Sequence, residues 1–469
     1  MKYKHQDSRR RFIRQAGLAT FGLTTMSSSL FKLNTIKAAL ANNSFIRGAD
    51  DYRALVCLFQ PGGNDSFNML LPYGIPEHQE YSTTRSNLAI EREAIRQINA
   101  NTNDGKTYGV HPTMEGVQQL FNDKKLSFLT NIGPMIQPTT KVEYEADQAP
   151  LPLGLFSHSD QISHWESGRP GERANHGWGG RLAEMVHSHN ENTGISMNIS
   201  LSGNNLFQAG NGILEFTLSP GDLSFGIDGY QHDHAYNQLR TRLIDQILEQ
   251  PYGDKYKKTY IDVIKNSLDT QKDFQEAIEG SEAFNTEFSN NSLSQSFKTI
   301  AEVIAARDVL GFKRQIFFVR YGGWDHHDNL LNAQAGQLSV VSNALTQFGS
   351  ALEELSVFDN VVTFTMSEFA RTLTSNGNGS DHAWGGNVMV MGGNVKGGEL
   401  FGSYPSLELG NNLEIGRGRM IPTLSNDQYF AELALWLGVS PGDLNTIFPN
   451  IGNFYNVNSG QSPIGFINT

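Results

Sequence analysis

The sequence predicts an α/β fold with a mostly parallel central sheet, because short apolar runs alternate along the chain with amphipathic helical patterns. Continuous apolar runs of this length are typical of strands that are buried on both faces of a sheet. The runs span residues 54–60, 126–130, 315–319, 360–365 and 387–391. Glycine-rich polar segments follow several of these runs and mark where each predicted strand ends.

The helical patterns lie between and after these strands. The clearest one has apolar residues at spacings of three and four on a single face, namely Leu338, Val341, Leu345, Phe348, Leu352 and Leu355. Further helices are predicted over residues 239–250, 256–277, 297–310 and 426–437, the last ending at Gly438. Between about residues 203 and 312, helical patterns joined by polar segments replace the strand-like apolar runs. We therefore interpret that segment as an inserted helical subdomain of one domain that spans residues 42–469.

The first 41 residues have the layout of a twin-arginine export signal. Arg9 and Arg10 precede a large apolar residue and a weakly apolar run, residues 16–31, which is too polar to be a good membrane span. A small-x-small cleavage pattern follows at Ala39-Leu40-Ala41. We therefore expect export by the twin-arginine translocase, which carries folded proteins, and a periplasmic or secreted mature chain.

Charge and cysteine content narrow the class of protein. Residues 1–41 hold eight of the 36 Lys and Arg residues and one of the 48 acidic residues, so the remaining chain has a net charge of −19. This charge argues against a nucleic-acid partner and against binding to anionic lipid. No later segment is long and apolar enough for stable membrane insertion. Cys57 is the only cysteine, so any metal site must use histidine and carboxylate ligands.

Acidic and imidazole side chains follow or precede the predicted strands. Since ligands bind outside the carboxyl ends of the strands in such sheets, these side chains should converge although they are far apart in sequence. The segments that carry them are Asp65, Ser157-His158-Ser159-Asp160, Asp325-His326-His327-Asp328, Ser367-Glu368 with Arg371, and Asp381-His382. They fit one or two divalent ions, with zinc, manganese, magnesium and calcium as candidates.

Each of these segments also has a structural interpretation. Asp65 suits an Asx-turn after the first strand. The run from Asp325 to Asp328 suits a helix start with solvated histidines, and Glu368 is spaced to form a surface ion pair with Arg371. Two ions about 4 Å apart would instead hold the attacking and leaving oxygens of a phosphoryl or sulfuryl transfer.

Several motifs resemble an exported bacterial family called domain of unknown function 1501. They occur in the expected order over nearly the whole mature chain and are Gly62-Gly63-Asn64-Asp65, Val110-His111-Pro112, Ser157-His158 through Glu166-Ser167-Gly168, Gly322-Gly323-Trp324-Asp325, Ser367 through Thr372, Asp381 through Gly386, and Asp427-Gln428-Tyr429. That family is itself similar to the alkaline phosphatase and sulfatase superfamily. The resemblance implies an alkaline phosphatase-like, three-layer α/β/α sandwich with metal ligands at the strand ends.

The resemblance also implies roles for individual residues. Asp65 matches the superfamily's metal aspartate after the first strand, and Ser157 stands in the place of the nucleophile at a helix start. Asp325, His327 and His382 match the ligands of one metal site.

A second metal site is less complete. Glu368 stands where the superfamily has the aspartate of an Asp-His pair, but Phe369 follows it, so the histidine of that pair is missing. His158 could fill the gap, and Ser159 is the alternative nucleophile. His326 and Asp381 are further candidate ligands.

The resulting hypothesis is an exported metal-dependent hydrolase of phosphate or sulfate esters, carried by small molecules or polymers. Serine would attack, the metal would stabilise the oxyanions, and Arg371 or Arg181 would bind a non-bridging oxygen. The alternatives are a non-catalytic exported binding or cell-surface assembly protein on the same fold, and a calcium-stabilised protein that handles polysaccharides.

Overall fold

The computed structural model describes residues 51–101, 104–213, 215–220, 230 and 233–468. The predicted signal over residues 1–41, with Arg9 and Arg10, lies outside the described residues. Within those ranges, every helix is too short or too polar to cross a bilayer.

The strands match the predicted apolar runs and add several short partners. In chain order they are β1 (Arg53–Phe59), β2 (Leu70–Pro72), β3 (Arg96–Ile98), β4 (Tyr108–Val110), β5 (Leu126–Gly133), β6 (Asn198–Ser200), β7 (Phe216–Thr217), β8 (Arg314–Arg320), β9 (Val361–Met366), β10 (Gly386–Met391), β11 (Leu400–Phe401) and β12 (Leu424–Ser425). The longer strands are almost entirely buried, as their continuous apolar sequences predict.

The α-helices include all of those predicted from the sequence. In chain order they are α1 (Ser66–Met69), α2 (Ile75–Arg85), α3 (Glu115–Asn122), α4 (Lys141–Glu145), α5 (His158–Ser167), α6 (Trp178–Val186), α7 (Ala235–Glu249), α8 (Lys255–Glu279), α9 (Ser292–Ala305), α10 (Leu330–Glu354), α11 (Asn426–Leu437) and α12 (Leu444–Ile447). Helix α10 buries the predicted face from Leu338 to Leu352, but it begins eight residues before that face. Within this additional part of the helix, Gln334 donates to the backbone oxygen of Asp65 at 2.6 Å.

The central sheet has the order β11-β5-β10-β9-β1-β8-β6-β7, and β12 also pairs with β5. Strand β10 runs antiparallel to both of its neighbours, whereas the other pairings are parallel. The predicted mostly parallel sheet is therefore confirmed. Because β10 is reversed, its first residue lies at the edge of the sheet that is formed by the carboxyl ends of β9, β1 and β8.

The register brings three loops to that edge at the same level. In β1, Phe59 is opposite both Arg320 of β8 and Met366 of β9. The first residues of the loops are joined there too, because Gln60 donates its amide to Met366 and Tyr321 donates its amide to Phe59. Side chains a few residues beyond these strand ends are thus held close together.

Two groups of helices cover the sheet. Helices α3 and α9 each pack on α10, and Phe297 of α9 stacks on Phe348 of α10 at 4.9 Å between ring centroids. Helices α5, α6 and α12 form a second group with α11, in which Trp178 of α6 stacks on Phe430 of α11 at 4.5 Å. These aromatic contacts bury large apolar areas between the helices.

The segment predicted as an inserted helical subdomain, about residues 203–312, contributes to the central core as well. It supplies the edge strand β7, which pairs in parallel with β6. It also supplies α9, whose buried face packs against α10. The described residues from Tyr52 onward cluster as one compact unit.

Candidate metal centre

Side chains from four separate segments meet at the edge where β1, β8 and β9 end. His158 is the first residue of α5, Asp325 and His327 follow β8, Glu368 follows β9, and His382 precedes the reversed strand β10. The convergence predicted from the strand ends is therefore present for these five residues.

A glycine allows the loop after β1 to approach this centre closely. Gly62 has a φ of +120°, and a Cβ atom there would lie 2.4 Å from the backbone nitrogen of Asp325. Its amide donates to Oε1 of Glu368 at 2.7 Å. Any larger residue would separate the loops after β1 and β8.

Asp325 stands at the middle of three imidazoles. Nε2 of His327 lies 2.9 Å from Oδ1 of Asp325, and Nε2 of His382 lies 3.4 Å from the same oxygen. Nε2 of His158 lies 3.4 Å from Oδ2. The two nitrogens of His327 and His382 are 3.1 Å apart.

The other ring nitrogen of each histidine is held by an oxygen. The Nδ1 contacts are His158 to Oε1 of Glu368 at 2.8 Å, His327 to Oδ1 of Asp381 at 3.0 Å, and His382 to the backbone oxygen of Phe156 at 2.8 Å. A carbonyl or carboxylate oxygen only accepts, so each Nδ1 donates its hydrogen. In its neutral form, each ring then turns the lone pair of Nε2 toward Asp325, as in histidine ligands that are oriented by an outer oxygen.

This donor set fits a divalent cation. A histidine binds a metal ion as a neutral imidazole, and because the hydrogen bond to Glu368 raises the pKa of His158, an ion would displace any proton that Nε2 of this ring carries. The distances of 2.9–3.4 Å compare with about 3.3 Å between neighbouring ligands of a tetrahedral ion at 2.0–2.1 Å from each. His158, Asp325 and His382 form the candidate triad, with ligand atoms that all lie within 4.8 Å of one another, and His327 lies beside this triad in contact with Asp325 and His382.

The charge of Asp325 is balanced by Arg371. Burial alone would raise the pKa of Asp325, but the hydrogen bond and the charge of Arg371 lower it below its ordinary value, so this carboxylate is an anion at neutral pH. Nη1 of Arg371 donates to Oδ1 of Asp325 at 2.5 Å and to the backbone oxygen of Gly62 at 3.1 Å. Nη2 donates to the backbone oxygen of Ser380, and the side chain is fully buried.

The two arginines that the sequence suggested for substrate binding are thus occupied within the protein. Arg371 donates hydrogen bonds to Asp325 and to loop carbonyls. Arg181 donates to the backbone oxygens of His176, Ser167 and Ile447. Both guanidinium groups therefore bind groups within the protein rather than being available to a substrate.

Asp65 lies apart from the three histidines. Its Oδ2 is paired with Nη2 of Arg85, and both side chains are fully buried. Nη1 of Arg85 also donates to the backbone oxygens of Thr372 and Leu373, at 3.0 and 3.2 Å. A buried guanidinium therefore neutralises the carboxylate that the family resemblance assigned to a metal.

Ser157 and Ser159 lie beside the centre. Their Oγ atoms are 3.3 Å apart, and both residues that flank Ser157 contact His382, because Phe156 accepts from its Nδ1 and the ring of His158 lies 4.3 Å from its ring. Phe156 has a φ of +74°, a costly conformation for a residue with a side chain. Ser157 thus lies between two residues that contact His382, while its own hydroxyl contacts Ser159 and the carboxylate of Asp160.

His326 and Asp381 take different positions. The ring of His326 is buried 6.3 Å from that of Trp324, and burial lowers its pKa, so it is neutral at neutral pH. Asp381 holds His327 through Oδ1 and is itself paired through Oδ2 with Arg417. Sequence analysis listed both as candidate ligands, whereas the geometry makes Asp381 an outer partner of a ligand.

Replacing Asp381 with asparagine should weaken metal binding by about 10–100-fold, the usual effect of losing an outer carboxylate. Asparagine can turn its amide toward Nδ1 of His327 and so favour the tautomer that carries hydrogen on Nε2. Metal affinity measured by competition with a chelator dye tests this. Asp328→Asn, in the same loop as His327, should bind as the wild type does, and equal affinities for all three proteins would contradict the role of Asp381.

Known proteins give limited guidance. The profile of the family described as "Protein of unknown function (DUF1501)" matches residues 52–414. No curated protein matches the sequence. Among solved structures, Ps i-CgsB in complex with k-i-k-neocarrahexaose has a TM-score of 0.34 at 10% identity, over 82% of this chain and 72% of that one. Ps i-CgsB alone has a TM-score of 0.35 at 9% identity, over 85% of this chain and 77% of that one.

Proposed function

Since the chain belongs to the DUF1501 family of proteins of unknown function, we propose from its site that it is an exported metal-dependent hydrolase of phosphate or sulfate esters. The observation that carries this proposal is the convergence of three Nε2 atoms on Asp325 while each Nδ1 is held by an oxygen. The twin-arginine signal with Arg9 and Arg10, and a periplasmic or secreted location, are part of the same proposal.

His158, Asp325, His327 and His382 would hold the ion. Three imidazoles and one carboxylate suit zinc or manganese better than magnesium or calcium, which prefer oxygen ligands. A bound divalent ion would stabilise the negative charge that develops on the oxygens of the ester. In this proposal Glu368 acts by orienting His158, and Asp65 by pairing with Arg85.

Ser157 is the proposed nucleophile. The start of α5 presents unpaired backbone amides that favour an anion, so the phosphate or sulfate would lie next to the Ser157 hydroxyl. Oγ would form a bond to phosphorus or sulfur while the bond to the ester oxygen breaks, with the serine proton released to solvent and the leaving oxygen taking a proton from water. Water would then hydrolyse the serine ester and restore the hydroxyl.

The test is metal analysis of the purified chain together with a screen of aryl phosphates and aryl sulfates. On any substrate found, Ser157→Ala should lower kcat by at least about a thousandfold, as the loss of a nucleophile does, with metal content unchanged. Ser159→Ala is the matched control and should keep most activity.

Other outcomes reassign the function. Loss in Ser159→Ala alone would make Ser159 the nucleophile, and full activity in both variants would mean that water attacks directly. Bound metal without turnover of any ester, or no bound metal at all, would favour the non-catalytic binding or assembly protein.

A further inference from the structure

The proposed substrate carries negative charge, yet the two arginines expected to bind it are occupied. Arg371 is fully buried and bonded to Asp325, and Arg181 serves backbone oxygens elsewhere. A third guanidinium beside the centre, Arg417, is paired with Asp381. An anion at this site therefore needs a different cationic side chain.

Arg419 is placed to supply it. Its Nε donates to the backbone oxygen of His382 at 2.9 Å, and its Cζ lies 4.8 Å from the centre of the Phe156 ring. Phe156 in turn accepts from Nδ1 of His382 and immediately precedes Ser157. Arg419 thus contacts one of the candidate ligands through its backbone oxygen and the residue directly before the candidate nucleophile through its ring.

The terminal amino groups of Arg419 are free among the described residues. Nε makes its side chain's one hydrogen bond there, and no carboxylate forms an ion pair with it within that part of the chain. Burial, and then the charge of Arg417, lower the pKa of Arg419, but a guanidinium still remains charged at neutral pH. Stacking on Phe156 fixes its plane before any ligand arrives.

The loop that carries Arg419 is rigid. Residues 416–418 have three successive positive φ angles of +101°, +61° and +73°. The backbone oxygen of Arg417 accepts from both the amide and the hydroxyl of Thr374, at 3.3 and 3.0 Å. Arg419 closes the loop by donating its amide to Gly416 at 3.2 Å. A side chain on such a loop loses little freedom when it binds an anion.

We propose that Arg419 binds the non-bridging oxygens of the substrate's phosphate or sulfate group, on the side of the centre formed by His382 and Phe156. Two parallel N–H groups of a guanidinium match two oxygens of such an anion. The inference rests on the proposed function for the class of substrate, but anion binding itself needs no turnover.

The experiment is titration calorimetry of the full, zinc-loaded chain with inorganic phosphate and with sulfate. Arg419→Gln should weaken binding of the preferred anion by about 10–100-fold, with metal content and Tm unchanged, and Arg419→Lys should fall in between. Arg92→Gln is the matched control, because Arg92 also lies over an aromatic ring, that of Tyr73 at 5.1 Å, and should bind like the wild type.

Equal affinities in Arg419→Gln and the wild type would overturn the inference, as would a wild-type protein that binds neither anion. Loss of metal in Arg419→Gln would also overturn it, since Arg419 would then act by positioning His382. Arg419-dependent phosphate binding without hydrolysis of any ester would support Arg419 while rejecting the proposed hydrolase. Hydrolysis of an ester with a KM that Arg419→Gln leaves unchanged would support the proposed hydrolase while rejecting the role of Arg419.

Discussion

The double variant His158→Ala/His382→Ala is expected to lose its divalent ion completely. It removes two of the three Nε2 donors around Asp325 but keeps the pair between Asp325 and Arg371, so the fold should persist. In the wild type, an ion present at 100 times its Kd stabilises the folded state by about 2.7 kcal/mol. For a chain of this length that corresponds to a Tm change of about 3 °C.

Elemental analysis and thermal melts with and without a chelator measure both effects. The chelator should lower the Tm of the wild type by that amount and leave the Tm of the double variant unchanged. His189→Ala, which removes an imidazole bonded only to the backbone of Val186, should behave as the wild type. A double variant that retains one ion per chain would show that the ion binds elsewhere.

Asp65→Asn is expected to lower the free energy of unfolding by about 3–5 kcal/mol, the usual cost of leaving one member of a buried ion pair alone. Arg85 would keep a fully buried positive charge with no anionic partner, since only uncharged acceptors such as the carbonyls of Thr372 and Leu373 would remain. Metal content, measured well below the Tm, should not change. Urea unfolding followed by tryptophan fluorescence gives the stability.

A double variant tests whether the unpaired buried charge causes this loss of stability. Asp65→Asn/Arg85→Met should recover part of the lost stability because no charge remains buried, although two carbonyls lose their donor. Asp123→Asn, at an exposed helix end, should stay within about 0.5 kcal/mol of the wild type. An Asp65→Asn protein of unchanged stability that has lost its metal would restore Asp65 as a ligand.

The sequence predicted the sheet and much of the site because both follow from local patterns. Apolar runs marked the strands, and the rule that ligands lie at strand ends brought together Asp325, His327 and His382. His382 precedes its strand, so its membership depends on the reversal of β10. Neither hydrophobic pattern nor spacing carries the direction of a buried strand, so these signals placed His382 beside a strand without showing which end of the sheet it joins.

The basic residues of the site were the harder part. Arg85 reaches Asp65 across twenty positions and Arg419 reaches His382 across 37, with no motif at either end. Long flexible side chains can serve many partners, so a sequence shows that an arginine exists but not which carboxylate or carbonyl it meets. Glycine and arginine alternate at residues 416–419, and this alternation was the one sequence feature that could have indicated a tightly turned loop with positive charge.

The candidate ligands lie on chain segments between residues 158 and 382, and the reversed strand contributes the last of them. An unfolded chain cannot offer them together, so the site first becomes available to an ion in the compartment where the chain folds. The concentration of each free metal in that compartment, more than the intrinsic order of affinities, then selects the ion. If residues 1–41 direct export of the folded chain, the cytoplasm would choose the metal for a protein that works outside it.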